Sequence, residues 1–91
     1  MDYEWDPEKA AANLRKHGIR LSYGMDILED PYALTREDTS AQGEARWASV
    51  GMDGLGRVLT VVYTSRGERI RLISVRQATR RERESYERER S

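Results

Sequence analysis

The sequence has 91 residues, enough for one domain with one core, in which folding buries roughly two-thirds of the unfolded surface. It contains no cysteine, which excludes a disulfide framework or a thiolate metal site, and no apolar run reaches membrane-spanning length. Its 16 basic and 16 acidic residues balance in total but not along the chain: residues 1–45 carry 5 basic and 10 acidic side chains, residues 46–91 carry 11 and 6. The basic half suits an anionic partner, or else the two halves neutralise each other across the fold. Arginine supplies 14 of the basic residues, and its planar fork matches phosphate bidentately. The acidic start, Met1 to Asp6, is unlike a secretory leader, and the expectation is a soluble cytoplasmic protein with no membrane contact.

In chain order, Tyr3-Glu4-Trp5 is a short extended piece before a helix start. Asp6 at the N-cap, Pro7 at the first helical position and Glu8 in the first turn mark that start, and Trp5 can staple back near Ala10. This helix runs to Lys16-His17-Gly18, where basic residues complement the dipole and Gly18 fits the left-handed position. A second helix begins near Leu21, with Ser22 as its cap and Leu21, Met25 and Leu28 on one face. Pro31 stops it. Tyr32 to Arg36 reads as a short edge strand, and Glu37 to Glu44 as a polar, mobile loop.

Arg46 to Met52 alternates as a strand. The turn Asp53-Gly54-Leu55-Gly56 joins it to Val58–Thr64, which is β-branched and aromatic. Gly67 permits a hairpin, and the return run Arg69 to Arg76 alternates Ile70, Leu72 and Ser74 against Arg69, Arg71, Ile73 and Val75. Thr79 and Glu82 form a capping-box pattern opening a last helix to about Arg88, whose one sizeable apolar anchor is Tyr86. The expected fold is α+β and covers residues 1–91 as one domain. It has two N-terminal helices, an antiparallel sheet of three to four strands and a C-terminal helix.

Several segments together are similar to a known family: Trp5-Asp6-Pro7-Glu8-Lys9, Asn13, Lys16-His17-Gly18-Ile19, Asp30-Pro31, Glu44 and Arg46, and Arg71 to Arg76 with Ala78, Glu82 and Tyr86. In this order they resemble the BrnT family, toxins of bacterial type II toxin–antitoxin pairs with a RelE-like fold. Leu21, Gly24 and Val75 depart from the residues usual there, and Gly24 weakens the second helix by up to about 1 kcal/mol relative to alanine. The resemblance implies a ribonuclease that inhibits translation and is held in check by a BrnA-like antitoxin. Such an antitoxin carries a ribbon-helix-helix domain, so operator DNA would be reached only through it.

Metal-free RNA cleavage needs a proton carrier and fixed cations for the charged phosphorane. Arg76 is the leading cation candidate, with Arg46 beside it in the catalytic set and Arg71 as an RNA contact. The alternative for each is a place on a solvated sheet face. His17 is the lone histidine, placed to act as an acid or simply to cap its helix, and Lys16 beside it can contact phosphate. Glu82 is a base candidate or only the capping-box partner; Tyr86 stacks a base, donates a proton or anchors its helix. One histidine and no cysteine offer no credible metal site, and no cofactor motif occurs. A different function class fits the same near-neutral chain: a non-catalytic module that pairs with a DNA-binding partner and modulates repression.

Overall fold

Asp6 opens the first helix as its chemistry predicts. Its side chain accepts a hydrogen bond from the Glu8 N–H at 2.9 Å, and Gly18 closes the helix at φ 70° with its N–H on the Leu14 carbonyl. In the computed structural model, which describes residues 1–39 and 45–91, the elements in order are β1 (Asp2–Glu4), α1 (Pro7–His17), α2 (Tyr23–Glu29), β2 (Leu34–Asp38), β3 (Arg46–Met52), β4 (Val58–Arg66), β5 (Arg69–Gln77) and α3 (Arg80–Arg90).

The sheet differs from the expected one. It has five strands in the order β1-β5-β4-β3-β2, and it is mixed, because β1 pairs parallel with β5 while the other pairs are antiparallel. The extended piece before α1 is thus a strand, laid on an edge that only the folded chain creates. β2 starts later than expected and includes Glu37 and Asp38, which pair with Trp47 and Arg46. The rest of the expected loop, 40–44, lies outside the described residues.

The β4–β5 hairpin turns at Gly67, φ 62°, as expected. Its return strand does not alternate simply. Val62 pairs with Ser74 and Tyr63 with Leu72, so Ile73 is an extra residue, a β-bulge. The bulge shifts the phase by one, so Leu72 and Val75 both face the core, at 1% and 0% exposure, instead of opposite sides. Arg76 consequently points to the other face.

On one face, Leu59, Val61, Leu72 and Val75 pack with Ile19, Leu21 and Ile27 from the α1–α2 side. On the other, Val50, Ala78 and Tyr86 form a smaller cluster beneath α3. α2 buries Gly24 and Ile27, with Met25 and Leu28 at the margin; Leu21 is buried just before it, and Ser22 has helical backbone angles and makes no side-chain cap. A Cβ on Gly24 would stand 2.8 Å from Val61 Cγ2, so the glycine is what lets α2 approach the sheet. Asn13 is buried on α1 and completes the outer edge of β5 beyond the end of β1. Its amide donates to the Val75 and Ile19 carbonyls (2.9 and 2.8 Å) and its Oδ1 accepts the Val75 N–H at 3.0 Å. That side chain does the work of a missing strand and fixes the last turn of α1 beside Ser74 and Arg76.

Candidate functional site

The site is assembled where β5 hands over to α3. Thr79 caps α3, its Oγ1 accepting the Glu82 N–H at 3.1 Å while its own N–H donates to Glu82 Oε1 at 2.8 Å, the complete capping box. The capping geometry aims the Glu82 carboxylate back at the sheet. There it meets Arg76 in a bidentate pair, Nη1 to Oε1 at 2.8 Å and Nη2 to Oε2 at 3.1 Å. Arg36 of β2 donates from Nη2 to Oε2 at 3.2 Å, and the Thr60 hydroxyl donates to Oε1 at 3.1 Å. Burial alone would raise the Glu82 carboxyl, but the hydrogen bonds and charge of Arg76, the Thr79 N–H and Arg36 together hold it down at about 2.

One carboxylate therefore holds two guanidinium groups, and the trio keeps a net positive charge. Glu82 is nearly enclosed at 13% exposure, while Arg76 remains 30% and Arg36 55% exposed. Arg76 lies at the meeting point of two depressions. One, of about 370 Å³, is formed with Lys9, Asn13, Lys16, His17 and Ser74 and contains no acidic residue. The other, of about 440 Å³, is a cleft between β2 and α3. Arginine, lysine and histidine converging on one open trough make a site suited to a phosphate group and its neighbours.

The sequence pattern of the ribonuclease toxin BrnT of type II toxin–antitoxin systems matches residues 5–82, most of the chain. The chain belongs to the BrnT family. The Brucella abortus ribonuclease toxin BrnT, known from a 1.1 Å crystal structure, is similar in fold: its TM-score is 0.64, over 88% of this chain and 99% of that one, at 22% identity. No curated protein matches the chain.

Within this BrnT-family chain, the residues singled out from sequence separate into two groups. Arg76, His17 and Lys16 line one depression, and Glu82 is bonded to Arg76. The other three lie elsewhere. Arg46 stands four residues along β3 from Val50, which pairs with Thr60 in the row of Arg76, so it is displaced by roughly 13 Å along the sheet. Arg71 is bound to Glu4 of β1 at 2.7 Å. Tyr86 corrects the expectation of a stacking aromatic: at 1% exposure it lies under α3, and its hydroxyl donates to Asp30 Oδ2. No ring face is left for a base. Burial, the hydrogen bond and the Asp30 charge push its phenol up to about 12, so it keeps its proton at neutral pH and donates it in the hydrogen bond to Asp30.

Arg36, Lys9, Asn13 and Ser74 were not legible as site residues. Arg36 meets Glu82 across 46 positions, and no local pattern links them. Asn13 did leave a signal, a buried-type position on a helix filled by an amide. Among the described residues, no three His, Asp or Glu side chains are grouped to hold a metal ion, and no helix is long and apolar enough to cross a membrane.

Proposed function

We propose that this BrnT-family protein is a cytoplasmic, metal-independent endoribonuclease toxin that cuts RNA in the trough around Arg76 and so inhibits translation. The observation that carries the reading is the placement of Arg76, fixed from behind by Glu82 and open in front onto Lys16, His17 and Ser74. In this reading the 2′-hydroxyl oxygen attacks the adjacent phosphorus, its proton passing to water, and the bond to the 5′-oxygen breaks. Arg76 and Lys16 hold the phosphorane's charge, and His17, as general acid, delivers a proton to the leaving 5′-oxygen. Glu82 positions Arg76 and takes no proton, since a carboxyl held at about 2 with five accepted hydrogen bonds is a weak base. Arg46 and Arg71 lie outside this trough and take no part in the step.

A BrnA-like ribbon-helix-helix antitoxin neutralises the toxin by covering Arg76, and operator DNA is met only through that partner. The test is expression without antitoxin of the wild type and of Arg76→Ala, with RNA integrity and growth as readouts. Growth arrest with fragmented RNA, both lost in a folded Arg76→Ala protein, is the expected result. Intact RNA and normal growth with the wild type present and folded would favour the non-catalytic module, a reading consistent with a carboxylate too fully bonded to serve as a base.

A further inference from the structure

The cleft between β2 and α3 is not needed to hold a phosphate at Arg76, yet it opens directly beside that residue. Its floor is apolar: Leu34, half-buried, and Val50, 5% exposed, are cross-strand neighbours that line it. Its rim is cationic, with Arg36, Arg76 and Arg81, and the one acid among the lining residues, Glu82, is already consumed by two of them. Ser85 contributes a hydroxyl whose oxygen accepts from Arg88 and whose proton is left to donate. At about 440 Å³ the cleft falls within the roughly 300–1,000 Å³ typical of small-ligand sites, and it shows their usual mixture of apolar wall and few polar groups.

We infer that this cleft is a base subsite: it receives the nucleobase next to the phosphate held at Arg76, with the base lying on Leu34 and Val50 and under the guanidinium of Arg36 or Arg81. The inference rests on RNA binding at Arg76, but not on cleavage. An apolar floor, guanidinium planes and an adjoining phosphate site are the three features that a splayed-out nucleotide uses. An acidic or apolar peptide would use only one or two of them. A net positive rim beside a phosphate site selects the nucleotide by charge complementarity.

The test follows the Leu34 and Val50 methyl resonances of the whole protein while adding each of four nucleoside 3′-monophosphates, ribose phosphate or inorganic phosphate. The expected result is that nucleotides move both methyls, whereas ribose phosphate and phosphate move only signals around Arg76, and that the best nucleotide binds about tenfold tighter than ribose phosphate. In Ser85→Phe, which fills the cleft, that advantage disappears while ribose phosphate binds as before; Ser85→Trp serves if the phenylalanine variant does not fold. Methyls that respond alike to ribose phosphate and nucleotide, or to neither, overturn the inference. Methyls that respond to the antitoxin but to no nucleotide assign the cleft to a protein partner and overturn it too. A protein that binds nucleotides here yet leaves RNA intact keeps the subsite and removes only the cleavage reading, while cleavage without a methyl response does the reverse.

Discussion

Glu82 shows how one side chain can serve local and distant structure at once. Its backbone and carboxylate complete the cap of α3, and the same carboxylate fixes Arg76 and Arg36. From sequence, the Thr79-to-Glu82 spacing suffices for the cap, because both partners are local. The ion pair with Arg76 spans a strand end and a helix start, and its geometry exists only once α3 docks. The folded carboxyl at about 2 lies below the usual 4.5, so its pairing contributes fully above pH 4.5 and is lost as pH falls toward 2. After allowance for solvent screening at the partly exposed Arg76 and Arg36, wild type should lose about 1–2 kcal/mol through this group across that window. Glu82→Gln should be less stable at pH 7 and should show a flatter stability profile between pH 4.5 and 2 in denaturant titrations. Equal slopes for the two proteins would remove the carboxylate from the explanation.

At the scale of elements, the two approaches that place the site are made by small or polar residues that periodicity overlooks. Gly24 is a poor helix former, and propensity alone says that alanine would improve α2 by up to about 1 kcal/mol. The contact with Val61 says the opposite: Gly24→Ala overpacks a branched side chain at 2.8 Å and should destabilise by about 1–3 kcal/mol in urea unfolding. A more stable variant would mean that α2 lifts freely from the sheet. Asn13 joins α1 to β5 through two buried hydrogen bonds to Val75 and holds the Ile19 carbonyl with a third, so Asn13→Ala strands the Val75 N–H and carbonyl without partners. Its expected cost is about 2–4 kcal/mol, measured the same way. The bulge at Ile73 belongs to this scale as well. An apolar residue fits either face, so the strand's composition conceals the phase change that turns Val75 inward and Arg76 outward.

For the whole molecule, helices and hairpin were legible because caps, turns and β-branched runs are written within a few residues of where they act. The five-strand mixed sheet was not, since β1 contributes three residues and pairs with a strand more than 60 positions away. The uneven charge is resolved in two ways at once. Glu4 answers Arg71 and Glu82 answers Arg76 and Arg36, but the trough of Lys9, Lys16, His17 and Arg76 has no acidic wall. That positive wall is the basis for proposing RNA as substrate. The most direct test uses purified protein, a chelator and an unstructured RNA, comparing wild type with Arg76→Ala at matched folded concentration. The expected result is cleavage by the wild type that persists in chelator and falls by about 10²–10³-fold in the variant. Cleavage abolished by the chelator, or retained in full by folded Arg76→Ala, would contradict it.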